Sequence, residues 1–203
     1  PSWTRKAQVK VNGKRMKVSP VAGEYFRIER TWKNGDRVEL VLPMHLTMRT
    51  WQVNKNSVSV NYGPLTLSLK IGEEFIRRDS RETAIGDSKW QKGADAENWP
   101  SYEIHPTTAW NYALVLGEKD PLEGFEVVKK SWPSDNFPFT PGNVPLEVKA
   151  QGRRIPSWKI DKYGLCAVLP ETDAPKSPQI ENITLIPMGA ARLRISAIPA
   201  VSE

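Results

Sequence analysis

The sequence predicts an all-β protein of the β-sandwich type, and three observations predict it. Apolar and polar residues alternate with period two in many short segments. Asn-Gly pairs and other Gly and Pro turns separate those segments, and no segment repeats with a helical period. Seventeen prolines and thirteen glycines are spread along 203 residues, which suits short strands and tight turns. Such a length holds one large all-β domain or two small ones.

The most regular stretch, residues 23–43, reads as a β-hairpin. Phe26, Ile28 and Trp32 alternate in its first arm, and Val38, Leu40 and Leu42 in its second, around a turn at Lys33-Asn34-Gly35-Asp36. Residues 7–18 form another hairpin: Val9 and Val11 alternate, Asn12-Gly13 turns, and Met16 and Val18 return. Residues 44–52 read as a connector or an irregular strand. Val58 and Val60 alternate up to a break at 61–64, and Leu65, Leu67, Leu69 and Ile71 make a clean strand that tolerates Pro64 at its start.

Residues 72–108 are polar and charged, follow neither period, and are expected to hold only short extended pieces. Residues 110–116 are apolar on both faces and read as a central strand. A short strand at 125–128 precedes a proline-rich loop at 131–145. Leu146, Val148 and Ala150 then alternate into a turn at Gln151-Gly152, with Ile155, Trp158 and Ile160 returning. A short strand is expected at 165–169 and a proline-rich linker at 172–179. Ile183 and Leu185, then Leu193, Ile195 and Ala197, close the chain as two strands.

Charge and cysteine content narrow the function. Twenty-nine Lys and Arg against 23 Asp and Glu give a net charge of +6, but basic and acidic residues are interleaved, as in Arg77-Arg78-Asp79. A nucleic-acid binder gathers its charge in a patch or arm, so no nucleic-acid partner is expected. One cysteine, Cys166, forbids an internal disulfide and a multi-cysteine zinc site. No apolar run approaches the ~18 residues that span a bilayer, and no membrane partner is expected. The start at Pro1-Ser2-Trp3, without Met, reads as a piece of a longer protein, so a missing leader says nothing of where the parent resides.

Few residues announce chemistry. His45 and His105 lie apart without metal-ligand spacing. Cys166 sits in an apolar stretch and is expected to be a small buried hydrophobe. Asp79, Asp87, Asp95 and Glu97 offer oxygen ligands for calcium but lack the spacing of a calcium loop. The Asn182-Ile183-Thr184 sequon falls in an expected buried strand. A glycosidase needs two facing carboxylates ~5–10 Å apart, and the sequence singles out no pair. Eight tryptophans are the best remaining signal, because exposed rings stack on the apolar faces of sugars. Trp90, Trp99 and Tyr102 interrupt polar sequence and form the candidate carbohydrate platform, whereas Trp32 and Trp110 alternate with apolar residues and are expected in the core.

Several stretches in order carry a resemblance: Pro1-Ser2-Trp3, Val11-Asn12-Gly13, Gly23-Glu24-Tyr25, Arg30-Thr31-Trp32, Gly35-Asp36-Arg37-Val38, Leu42-Pro43-Met44, and then Asn61-Tyr62-Gly63-Pro64-Leu65. Residues 110–114 and 183–187 add to it. Together they resemble the region after the catalytic barrel in bacterial glycoside hydrolases of family 127, the β-L-arabinofuranosidase-like proteins. The resemblance implies an (α/α)6 barrel upstream and two jelly-roll or immunoglobulin-like β-sandwiches, the second inserted in the first. Here those would be residues 1–71 plus 181–203, and 72–180. It further implies a periplasmic or secreted bacterial parent acting on arabinofuranosides or related plant sugars.

In that family the cysteine nucleophile, the zinc cluster and the glutamate acid/base belong to the barrel. No position here matches that motif, and Cys166 does not inherit the role. The chain is therefore expected to be non-catalytic and to need no cofactor or metal. It would brace its own barrel or mediate assembly, including as a homodimer. The alternative is a module that binds plant-type oligosaccharides through exposed tryptophans.

Overall fold

The computed structural model of the chain describes residues 1–17, 20–78 and 97–202. Its described residues form thirteen strands and short 3-10 turns, with no α-helix. The all-β expectation holds.

A small three-stranded sheet comes first. β1 (Gln8–Val11) turns through Asn12 and Gly13 into β2 (Lys14–Arg15). Both turn residues have positive φ, 51° and 75°, as a two-residue hairpin demands. On its other side β1 pairs antiparallel with β3 (Val38–Val41), giving the order β2-β1-β3. The hairpin expected over 23–43 is corrected here. Its turn exists, with Gly35 at φ 87° and the Asp36 N–H donating to the Lys33 carbonyl, but residues 25–29 form no strand. β3 finds β1 instead, where Val9 and Val11 offer it an apolar partner face. Trp32 is correspondingly half exposed, under the Arg30 guanidinium, rather than in the core.

Next come β4 (Leu46–Trp51), β5 (Ser57–Tyr62) and β6 (Leu65–Leu69), an antiparallel meander. Of the two readings open for residues 44–52, connector or irregular strand, the strand holds over most of the stretch. The β5–β6 turn places Gly63 at φ 55°, where a Cβ would sit 2.5 Å from Met44 Cγ. β7 (Glu73–Arg78) and β8 (Ser101–Pro106) pair as a separate two-stranded ribbon out of the polar 72–108 stretch.

The remaining strands are β9 (Tyr112–Leu116), β10 (Glu126–Lys129), β11 (Leu146–Arg154), β12 (Ile180–Pro187) and β13 (Ala200–Ser202). They join β4–β6 in one eight-stranded sheet, ordered β13-β9-β11-β12-β6-β5-β4, with β10 also on β11. The sheet draws on both stretches that the resemblance implies as separate sandwiches, 1–71 plus 181–203 and 72–180. β9 is central and buried on both faces, as its apolar sequence implies.

Three expected features differ. Gln151-Gly152 is no turn, because β11 runs straight through it. A Cβ on Gly152 would come 3.1 Å from Tyr112 Cδ1 and 3.2 Å from Ile183 Cδ1, so this glycine lets neighbouring strands approach. Residues 165–169 hold only a single bridge, Ile160 to Cys166. The closing strand is β13 rather than 193–197, and it runs parallel to β9.

Residues 193–199 instead cross the curled sheet. The Val58 and Ile198 backbones exchange hydrogen bonds of 2.8 and 2.9 Å, the Leu69 N–H donates to the Ile195 carbonyl, and the Leu114 N–H donates to Pro199. Inside the curl lies the main core, with Val60, Leu67, Leu114, Val148 and Leu185 almost wholly buried. A second cluster of Ala113, Ile155 and Trp158 packs on the far face of β9. There Trp110 meets Trp158 edge-on at 5.0 Å, and the Asn111 side-chain amide donates to the Ile155 and Trp158 carbonyls.

A Gly63→Ala variant should lose about 2 kcal/mol of stability, from the positive φ and the collision with Met44. Denaturant unfolding checks this. An unchanged midpoint would mean that the turn relaxes freely.

Candidate functional site

The most charged part of the large sheet is built around one carboxylate. Glu147 lies near the start of β11 and is only 3% exposed. Lys149, two residues on, lies on the same strand face. Lys70 follows β6 and Lys130 follows β10. All three ammonium groups reach Glu147: Lys70 and Lys130 at 2.7 Å on Oε1, and Lys149 at 3.0 Å on Oε2. Burial alone would raise the Glu147 pKa. The hydrogen bonds from Lys130, Lys70 and Lys149 together outweigh it and hold the pKa down at about 2. Lys149 also donates to Thr184 Oγ1 on β12.

A second polar group lies where β9, β11 and β12 run side by side. The Tyr112 hydroxyl donates to Glu181 Oε2 at 2.7 Å, and Arg154 Nε donates to Glu181 Oε1 at 3.0 Å. The tyrosine hydroxyl and then the guanidinium hold Glu181 below the ordinary carboxylate range, while burial pushes the Tyr112 phenol up. At the root of the ribbon, Glu73 Oε1 accepts from the Arg192 and Leu193 N–H groups.

Between these groups lies a cleft of about 920 Å³. Its walls are the ribbon root with Glu73 and Phe75, the 139–142 loop with Phe139, and the exposed side of β12 with Asn182 and Thr184. Lys70, Arg154 and Arg192 also line it.

A different surface lies on the small sheet. Val9 pairs with Leu40 and Val11 with Val38, so these four share one face, while Lys10 and Glu39 meet at 2.7 Å on the other. Val9 and Val11 are buried, yet Val38 is 47% and Leu40 57% exposed. Beside them runs a groove of about 340 Å³, lined also by Phe26, Ile28 and Leu42. Among the described residues no strand pairs with the second edge of β3.

The sequence candidates are dispersed. Trp90 lies outside the described residues. Trp99 is 75% exposed just before β8, and Tyr102 on β8 is 51% exposed. The ring partner of Tyr102 is Phe75, edge-on at 6.2 Å across the ribbon. Cys166 is exposed rather than buried, because its strand does not form. Partial desolvation raises its thiol pKa, which works against thiolate chemistry. Among the described residues no cluster of three metal-ligating side chains occurs, and His105 contacts Glu103 at 3.0 Å. Of the calcium candidates, Asp79, Asp87 and Asp95 lie outside the described residues. Asn182 lies in strand as expected, but exposed.

Sequence reasoning missed Phe75, Phe139 and the Glu147 cluster. The Glu147-Val148-Lys149 spacing was a readable signal for one ion pair. Lys70 and Lys130 carried none, because sheet order alone brings them there.

Comparison with known proteins agrees with this all-β body. Residues 1–44, which contain the whole small sheet, match the family model described as "Beta-L-arabinofuranosidase, GH127 middle domain". Two solved structures share the fold. One is a glycoside hydrolase: identity is 17%, 99% of this chain and 27% of that one are covered, and the TM-score is 0.52. The other is Ara127N-Se, a GH127 β-L-arabinofuranosidase from Geobacillus stearothermophilus T6: identity is 17%, coverage is 100% and 25%, and the TM-score is 0.50. No curated protein matches. The chain spans about a quarter of the length of the solved structures it matches. Its class is thus a β-rich region with the fold of part of a glycoside hydrolase. More particularly, its first 44 residues are similar to the GH127 middle domain, in line with the sequence resemblance, and over the whole chain the likeness to a GH127 enzyme is one of fold.

The Glu147 cluster sets a pH dependence. A folded pKa of about 2 lies below the ordinary 4.5, so its stabilisation is complete above pH 4.5 and is lost as pH falls toward 2. After allowing for solvent around the lysines, the loss should be about 2 kcal/mol. Urea unfolding from pH 6 to pH 2.5 should show this acid slope, and Glu147→Gln should flatten it. An identical slope in the variant would assign the acid sensitivity elsewhere.

Proposed function

We propose that this chain is a non-catalytic region of a glycoside hydrolase that docks on the rest of its parent and braces the catalytic barrel. The observation that carries the reading is the uncovered apolar face of the small sheet. Val38 and Leu40 stand half exposed beside a groove, on a strand whose outer edge is free among the described residues. A sheet layer in water covers such a face. The family model matched at 1–44 is that of a middle domain, and the solved relatives are about four times longer than this chain. Both facts favour a neighbouring part of the parent as the cover. Closing the face would make β1–β3 one layer of a β-sandwich.

Five of the described carboxylates are poorly suited to act as a general acid. Glu147, Glu181, Glu103, Glu39 and Asp36 are all held below their ordinary range by hydrogen bonds from neighbouring side chains. A general acid for glycoside cleavage needs the opposite shift, so that it keeps its proton at neutral pH. The activity of the parent toward β-L-arabinofuranosides rests on the matched family alone.

The test is complementation. The separately expressed remainder of the parent should bind this chain, and Leu40→Asp should weaken binding at least tenfold, since burying half a leucine is worth about 1 kcal/mol and a buried unpaired carboxylate costs more. The melting temperature of the chain itself should hardly change, because Leu40 is already exposed. Binding unaffected by Leu40→Asp would remove the small sheet from the interface.

A further inference from the structure

We infer that the 920 Å³ cleft is a binding site for an acidic oligosaccharide, one carrying uronic acid carboxylates. The inference concerns a different surface from the docking face. It shares with the proposed function only the premise that the parent acts on glycans.

Three features of the cleft point the same way. The first is its aromatic walls. Phe75 on the ribbon is backed edge-on by Tyr102 at 6.2 Å, and Phe139 on the opposing loop is backed edge-on by Phe137 at 5.4 Å. All four rings are about half exposed, although aromatic pairs of this size would ordinarily be buried. Each wall therefore offers a supported, flat apolar face, the shape that stacks on the C–H face of a pyranose. The second is the polar lining. Thr107, Thr184 and the exposed Asn182 add hydroxyl and amide groups to the cleft lining, suited to the hydroxyls of a sugar.

The third feature is charge. Lys70, Arg154 and Arg192 line the cleft, and Lys130 and Lys149 flank it through Glu147 and Thr184. Three carboxylates, Glu73, Glu147 and Glu181, oppose these five cations. Glu147 is engaged by three lysines, Glu181 by Arg154, and Glu73 by two backbone N–H groups. The Arg192 guanidinium is exposed and forms no ion pair among the described residues, which leaves a planar fork open to a carboxylate. A neutral glycan would use the rings and hydroxyls but not this excess positive charge. A small inorganic anion would use the charge but not the rings. An acidic oligosaccharide uses both, and the volume lies at the upper end for small-ligand sites.

The test is calorimetric titration of the intact chain with a galacturonate trisaccharide, a neutral arabinose trisaccharide and inorganic phosphate. The acidic trisaccharide should bind at least tenfold more tightly than either other ligand, and its affinity should fall with added salt. Arg192→Ala should remove most of that preference for acid. Phe139→Ala should weaken both sugars together and leave the response to salt unchanged. Both positions are exposed, so both variants should keep the parent melting temperature. Equal binding of neutral and acidic sugar would overturn the charge argument, and phosphate binding as tightly as the trisaccharide would overturn the saccharide. No binding of the acidic sugar, or binding unchanged in both variants, would overturn the site. None of these results bears on docking through Leu40, which complementation reads separately.

Discussion

Two backbone hydrogen bonds hold this molecule in its shape: Val58 and Ile198 each donate to the other, at 2.8 and 2.9 Å. They join β5, near one edge of the eight-stranded sheet, to the approach to β13, at the other. Without them the sheet would lie open and expose the face that carries Val60, Leu67, Leu114 and Leu185. The crossing at 193–199 also satisfies Leu69 and Leu114, whose N–H groups would otherwise cost about 1–3 kcal/mol each when buried unpaired. The meeting of Lys70, Lys130 and Lys149 on Glu147 follows from the pairing of β10, β11, β12 and β6 within that sheet.

The two sheets therefore stand in different conditions. The large sheet supplies its own second side and buries its apolar residues within this chain. The small sheet does not. β1–β3 has one salt-bridged face and one apolar face on which Val9 and Val11 are buried while Val38 and Leu40 stay half exposed beside the 20–28 loop. The same contrast separates the two candidate surfaces. An apolar face with a free strand edge calls for a protein layer. A cleft walled by aromatic pairs and ringed with ammonium and guanidinium groups calls for a polar, anionic ligand.

Much of this architecture was legible, and its failures have physical causes. Local signals held: Asn12-Gly13 and Gly63-Pro64 turn where their residue types predict, and the doubly apolar 110–116 stretch is a central strand. Non-local pairing did not show. Phe26, Ile28 and Trp32 alternate as a strand would, yet β3 pairs with β1, which lies far from it in sequence. Gly152 looked like a turn because a glycine in sequence does not say whether it bends the chain or makes room for Tyr112 and Ile183. Tyr102 was legible as an exposed ring in polar sequence, but its pairing with Phe75, and that of Phe139 with Phe137, appears only once the ribbon and the 139–142 loop are folded.

Native-state hydrogen exchange tests the central claim most directly, that a self-closed large sheet carries an incomplete small one. In the isolated chain, the amides of Val58, Leu69, Leu114 and Ile198 should exchange together, only by global unfolding. Those of β3 that do not face β1 should exchange orders of magnitude faster, and should become protected only in the longer parent. Fast exchange at Val58 and Ile198 would contradict the account, as would full protection along both edges of β3 in the isolated chain.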